Sequence, residues 1–260
     1  MTKAKQIQRA AVYTVPGSNA TRAARLMLEH KGVAYKLITL PNVLCGPLLR
    51  AMGFPGLTTP AIKLDGKKLQ GSRAIARALD AMIPSPALFP TDPELRARVE
   101  AAERWGEEVL QAVPRRVTFS TAVRKGARAD YTSFFEGWVL GLPPRLAMAV
   151  GGPLLALTAR RNRAFNDVVR ADLEALPKLL DHVDALLSDG TIGGERLNAA
   201  DFQIAASVRL LMCLEDLRPC IERHPAARFA QRVAPSFPGH VRAVLPPEWL
   251  APLRESPTLR

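Results

Sequence analysis

The stretch Val12-Tyr13-Thr14-Val15-Pro16-Gly17-Ser18-Asn19-Ala20-Thr21-Arg22 decides the reading of this chain. An apolar, β-branched run stops at Pro16-Gly17, and a serine then opens a helical pattern. Residues 11–15 read as a short buried strand. From Ser18 to Lys31 the apolar positions Ala20, Ala23, Ala24, Met27 and Leu28 recur at helical spacing, and Gly32 ends the run as a C-cap. Ser18 therefore stands at a helix N-terminus, where backbone N–H groups lack partners and the dipole is positive. Two roles suit a serine there. One is a plain helix cap. The other is a hydroxyl that helps to hold an anion. Tyr13 is the rival polar residue, but it falls inside the strand and reads as core.

Working outward, residues 34–40 form a second strand, and residues 41–59 are irregular, with Pro41, Pro47, Pro55 and a short helix near Leu48–Met52. Residues 60–70 read as a hairpin around Asp65-Gly66. Residues 71–83 are helical, with Ser72 as N-cap. The order is thus β-α-β, a link, then β-β-α. Residues 84–93 hold four prolines and read as a linker. Helical periodicity dominates the rest, most clearly over 93–113, 164–187, 198–213 and 225–233. Strands followed by a run of helices imply an α+β fold or two domains. The boundaries are 1–83 for the first domain, 84–93 for the linker and 94–260 for an all-helical domain.

Composition sets wider limits. The chain has 260 residues, 48% hydrophobic and 23% charged, which is ordinary for a globular protein with a sizeable core. The three cysteines, Cys45, Cys213 and Cys220, form no framework and no CxxC, which suits a reducing compartment. The first ten residues lack the apolar core of a signal peptide, so a cytoplasmic location is expected. The formal charge of +12 comes largely from 27 arginines. These are spread along the chain without an aromatic-basic motif or a recognition-helix signature, which speaks against nucleic acid. His30, His182, His224 and His240 are isolated in sequence, and no metal-ligand spacing occurs.

Residues 136–163 are unusual. They are apolar from Leu146 to Ala159 and flanked by Arg145 and by Arg160, Arg161 and Arg163. Fourteen residues are too few to span a bilayer, and Gly151-Gly152-Pro153 interrupts them. A pair of buried helices lining a pocket or a dimer interface is the simpler reading. A contact with a membrane surface is the sharper one.

The strand and helix order, followed by a helical domain, resembles the cytosolic glutathione S-transferase family: a thioredoxin-like α+β N-terminal domain, then an all-α domain. Four segments carry the resemblance. "VYTVPGSNATR" is similar to the opening of the bacterial serine-type classes, "TTPAIKLDG" to the cis-proline segment, "LQGSRAI" to the start of the third helix, and "LNAADFQIA" to a capping box on a later helix. The match covers 11–83 well and 198–240 fairly. Residues 115–165 resemble an enlarged insertion.

The resemblance implies chemistry. Ser18 would be catalytic, its hydroxyl donating to a bound glutathione thiolate and lowering the thiol pKa. Asn19 would add a second donor. Thr59, before a cis Pro60, would pair with the cysteinyl backbone. Ser72 and Arg73 would hold the γ-glutamyl carboxylate. Gly71 departs from the family, which places an acidic or amide side chain there against the γ-glutamyl ammonium. Gln70 is one position early and faces the other way. Another low-molecular-weight thiol would fit such a site as well as glutathione. Trp105, Glu108 and Arg115, with Val109 and Arg116 nearby, are the candidates for an electrophile pocket between the domains. The family also implies a homodimer. Asn198 and Asp201 are structural, as N-cap and third helical residue. A thiol-disulfide reductase would want cysteine where Ser18 stands, whereas dehalogenation and isomerisation remain open. A non-catalytic protein that keeps the fold, as a scaffold or at a membrane surface, is the alternative.

Overall fold

The structure, a computed structural model, describes residues 9–139, 141–151 and 154–255. The first domain builds a four-stranded mixed sheet in the order β2-β1-β3-β4, from β1 (Ala10–Thr14), β2 (Lys36–Thr39), β3 (Ala61–Leu64) and β4 (Lys67–Gln70). β1 pairs parallel with β2 and antiparallel with β3, so Tyr13 lies between Ile38 and Ala61. The β3–β4 hairpin turns at Asp65 (φ 46°) and Gly66 (φ 89°). Two successive positive φ values are what a two-residue turn matching the strand twist needs, and Asp-Gly supplies them.

Three helices complete this domain: α1 (Asn19–His30), α2 (Cys45–Ala51) and α3 (Ser72–Met82). Ala23, Ala24, Met27 and Leu28 of α1 and Ile75, Ala76 and Leu79 of α3 are fully buried in the main core. α2 covers a smaller cluster formed by Leu40, Cys45, Leu49, Phe54 and Ala61. Tyr13 packs edge-on against Phe54 at 5.3 Å between ring centres, as its strand position implies. Gly71 (φ 88°), not Ser72, is the N-cap of α3, and Ser72 is its first helical residue. Glycine takes this left-handed conformation at little cost, which is why the chain can turn sharply out of β4.

The connection to the helical domain is fixed by a buried lysine. Lys31 Nζ, at the end of α1, donates to Asp80 Oδ1 (2.8 Å), Ile83 O (2.6 Å) and Pro86 O. Asp80 also accepts from Leu88 N at 2.6 Å. The same core then continues into the helical domain without a break.

That domain contains α4 (Pro93–Trp105), α5 (Ala112–Ala122), α6 (Pro144–Gly151), α7 (Leu155–Arg161), α8 (Asn166–Ser188), α9 (Ala199–Met212), α10 (Arg218–Ile221), α11 (Pro225–Val233) and α12 (Ala251–Glu255). The periodicity over 93–113 does not give one helix. A π-turn over Gly106–Leu110 separates α4 from α5. The turn packs closely on α9: a Cβ on Gly106 would lie 3.1 Å from the Gln203 side chain and 3.2 Å from that of Ile204, so glycine gives the closest approach. α9 is the central helix, buried along almost its full length. Its capping box is present: Asp201 Oδ2 accepts from Asn198 N at 2.7 Å, and Asn198 Oδ1 accepts from Asp201 N at 3.2 Å.

The apolar insertion differs from a pair of buried helices. No residue of α6 is buried, and α7 buries only Leu155, Thr158 and Ala159. Trp138, Leu146, Val150, Leu154, Leu157 and Phe165 are all exposed. No described helix is long and apolar enough to cross a membrane. The insertion still reaches the first domain, through Tyr131, which is buried. Its hydroxyl donates to Pro16 O at 3.0 Å and accepts from Asn42 Nδ2 at 3.0 Å.

Candidate functional site

The Pro-Gly-Ser turn is built as the sequence requires. Gly17 adopts φ 71°, and Ser18 N donates back to Val15 O at 3.2 Å. Tyr131 holds the Pro16 carbonyl from behind. Ser18 then caps α1, its Oγ accepting from Thr21 N at 3.2 Å and lying 2.8 Å from Thr21 Oγ1. The same Oγ lies 3.4 Å from Thr59 Oγ1. Thr59 precedes Pro60 through a cis peptide bond. Capping does not use up Ser18: an accepted hydrogen bond leaves the O–H proton free to donate.

Ser18 and Thr59 lie on one wall of a cavity of about 600 Å³ between the two domains, well within the range of small-molecule sites. α5 provides the opposite wall with Arg115 and Phe119, which share a helix face at a spacing of four residues. α7 adds Thr158, Arg161 and Asn162, and the segment after β2 adds Asn42, Cys45 and Arg50. Burial pushes the Cys45 thiol up to about 11, so this cysteine stays protonated at neutral pH and is no rival nucleophile. A second, apolar cavity of about 210 Å³ lies under the insertion and shares Pro16, Asn42, Val43 and Thr158 with the first.

Arg115 and its neighbour Arg116 differ in kind. Arg116 makes a bidentate pair with Asp172, with Nε–Oδ2 2.6 Å and Nη2–Oδ1 2.5 Å. Arg115 has no hydrogen bond or ion pair among the described residues, and its Nε is fully buried without a partner. Burial, followed by repulsion from Arg116, pulls its pKa below the usual arginine value.

The remaining expected site residues are placed as follows. Asn19 is buried, and its Nδ2 donates to Gln111 O and Ser207 Oγ, each at 3.1 Å. Its amide joins α1 to the helical domain and is not a second donor to a thiolate. Ser72, Arg73 and Glu108 are not on the cavity wall but form a separate cluster. Ser72 Oγ lies 3.5 Å from Glu107 Oε1. Arg73 lies 3.7 Å from Glu103, 3.8 Å from Glu107 and 3.7 Å from Glu108. This cluster adjoins the Thr59-Pro60 segment, since Gly71 N donates to Pro60 O at 3.0 Å. Glu103 is completely buried; burial raises its pKa, and Arg77, at 2.8 Å, opposes that shift. Trp105 turns away from the cavity and packs its ring 4.3 Å from that of His182. Val109 is exposed.

Gln70 does not face a ligand. Its Oε1 accepts from Gly56 N and its Nε2 donates to Thr58 O, both at 2.6 Å, bracing the loop that leads to Thr59. Sequence reading missed Glu107, Arg161, Asn162 and this bracing role. Glu107 carries no signal of its own, because the π-turn that aims it depends on contact with α9. It also missed that Asp181, Asp184 and His224 converge: Asp184 Oδ2 lies 2.7 Å from His224 Nδ1, while Oδ1 accepts from Ala226 N at 2.8 Å. Those bonds fix the start of α11 on α8.

A thioredoxin-like domain with serine at its first helix and a cis proline opposite, joined to a helical domain, defines the glutathione S-transferase architecture. Residues 12–87 match the sequence family described as glutathione S-transferase, N-terminal domain. The match covers the first domain, and the likeness to solved structures below shows that the whole chain has the glutathione S-transferase fold. No curated protein matches it significantly. Among solved structures it is similar to a glutathione S-transferase from Rhodospirillum rubrum, with 20% identity, 86% of this chain and 87% of that one covered, and TM-score 0.59. It is also similar to one from Methylobacterium radiotolerans in complex with glutathione sulfonate, with 20% identity, coverage of 92% and 99%, and TM-score 0.55. A third, from Ceriporiopsis subvermispora in complex with glutathione, shares 21% identity, coverage of 87% and 96%, and TM-score 0.54.

Proposed function

We propose that this protein is a glutathione S-transferase of the serine type, which binds glutathione or a close thiol and directs it at an electrophilic small molecule. The observation that carries this reading is Ser18 Oγ at the positive end of α1, 3.4 Å from Thr59 Oγ1, at a cavity large enough for ligands. The Ser18 hydroxyl donates to the thiolate and favours its charged form, so more nucleophile exists at neutral pH. The sulfur then forms a bond to an electrophilic carbon. In a substitution, the leaving group departs with its electron pair. Thr59 presents its backbone to the cysteinyl unit. The γ-glutamyl end extends to Ser72, whose hydroxyl and helix N-terminus, with Arg73, receive the carboxylate. Glu107 supplies the charge for the ammonium that Gly71 cannot.

Calorimetry with glutathione tests the binding, and turnover of 1-chloro-2,4-dinitrobenzene tests the chemistry. Loss of one charge-assisted hydrogen bond in Ser18→Ala lowers the transfer rate by about 10- to 100-fold. No heat of binding at millimolar glutathione removes glutathione as the thiol. An unchanged rate in Ser18→Ala makes Ser18 a cap only.

A second reading is a non-catalytic binding protein with this fold, supported by the contacts Ser18 already makes with Thr21. It requires that no electrophile is turned over, whether or not glutathione binds. A homodimer in the cytoplasm belongs to the first reading, and association with a membrane surface through the exposed insertion belongs to the second. Sedimentation equilibrium and co-sedimentation with anionic vesicles test them.

A further inference from the structure

The cavity wall carries three arginines, Arg50, Arg115 and Arg161, and no aspartate, glutamate or lysine. None of the three has a carboxylate partner among the described residues. Arg50 and Arg161 each donate one N–H to a backbone carbonyl, Pro55 O at 2.9 Å and Val43 O at 3.3 Å. Arg115 has no partner among the described residues, with its Nε buried. A partly desolvated guanidinium costs stability unless an anion compensates it, and the next residue, Arg116, shows the usual compensation with Asp172. No described side chain supplies an anion to Arg115, so a ligand in the cavity is the source open to it. Phe119 lies one turn further along the same face, so an apolar or aromatic body beside the anionic group has a ring to pack against. The apolar second cavity, which shares four residues with the first, extends that surface.

We propose that the electrophile this site selects is an organic acid: a carboxylate held by Arg115, joined to an apolar or aromatic body that bears the reactive carbon near Ser18. The role of the reactive carbon rests on the transferase reading; recognition of the acid does not. Glutathione is itself anionic, but its γ-glutamyl end is assigned to Ser72 and Arg73, in the separate cluster. With Arg50 and Arg161 left for its glycyl carboxylate, Arg115 is free for the acid, which binds to the glutathione complex.

Titration calorimetry with 4-chloro-3-nitrobenzoate and its uncharged amide, 4-chloro-3-nitrobenzamide, tests this with and without saturating glutathione. A bidentate guanidinium–carboxylate pair is expected to favour the benzoate by about tenfold or more in the wild type. Arg115→Gln brings the ratio of the two affinities close to one. Arg115→Lys keeps part of the preference, because it retains the charge but not the fork. Equal affinities in the wild type, or a ratio that survives Arg115→Gln in a protein with native thermal unfolding, overturn the proposal. So does competition between the benzoate and glutathione, which would assign Arg115 to the thiol. A protein that fails to bind glutathione but keeps an Arg115-dependent preference for the benzoate refutes the transferase reading and leaves the acid site standing.

Discussion

The N-termini of α1 and α3 are alike in sequence and opposite in surroundings. Both follow a glycine with positive φ and both carry a serine where the helix begins. Ser18 opens onto a wall with three arginines and no acid. Ser72 meets Glu107, with Glu103 and Glu108 held around Arg73. On the proposed reading the same local signal serves two ends of one site. The α1 end suits a thiolate and an organic anion. The α3 end, with both an acid and a guanidinium, suits a zwitterionic amino-acid group. The helical domain supplies most of this difference, with Arg115 and Arg161 at one end and Glu103, Glu107 and Glu108 at the other.

The sharpest way to break the comparison is to reverse the charge at the α1 end. Ser18→Asp keeps a side-chain acceptor for Thr21 N, so helix capping is retained and stability stays within a few tenths of a kcal/mol. A carboxylate there repels the thiolate and donates nothing to it. The transfer rate with glutathione falls by about 100-fold or more. Ser18→Ala, in contrast, loses about 1 kcal/mol of cap stability together with rate. Stopped-flow titration of the bound thiol separates the two effects. A Ser18→Asp protein with near-native rate would show that the hydroxyl is only a cap and that the α1 end is not the thiolate end.

The α3 end gives the next largest effect. Glu107→Gln removes the charge that stands in for a side chain at Gly71. Glutathione affinity drops by about tenfold, the worth of one charge-assisted hydrogen bond. An analogue without the α-amino group, N-glutaryl-cysteinylglycine, binds both proteins equally, because it has no ammonium to lose. An equal loss for both ligands would mean that Glu107 acts on the fold through Ser72 and Arg73, not on the ammonium.

How much of this was legible depends on how local each feature is. The strand before Pro16, the Asp65-Gly66 hairpin and the start of α1 follow from short-range periodicity and turn chemistry, and they stand close to where the sequence places them. Helix bounds over 198–213 and 225–233 are similarly clear. The long run from 93 to 113 was misread as one helix because Gly106 looks like any tolerated glycine until α9 is packed against it. The partners of Asn19 and Gln70 are not adjacent in sequence, Ser207 across the domain boundary for one and the backbone at Gly56 and Thr58 for the other, so spacing alone does not reveal them. Arg115 and Arg116 are indistinguishable in sequence. Only Asp172, more than fifty residues away on α8, separates the paired cation from the unpaired one.

That last difference gives the smallest effect and the most direct reading of what the α1 end is for. An unpaired, partly desolvated cation is tolerated at a site because a ligand compensates it, so its removal stabilises the empty protein. Arg115→Gln therefore raises stability by about 0.5–1 kcal/mol, or roughly 1–4 °C in unfolding midpoint for a chain of this size. Adding 4-chloro-3-nitrobenzoate at a hundred times its dissociation constant stabilises the wild type by about 2.7 kcal/mol through mass action and stabilises the variant far less. The order of the two midpoints then reverses. Differential scanning calorimetry with and without the acid reads both signs in one experiment. A variant less stable than the wild type in the absence of ligand would show that Arg115 already has its compensation within the fold, and the contrast between the two helix ends would narrow to Ser18 and Glu107 alone.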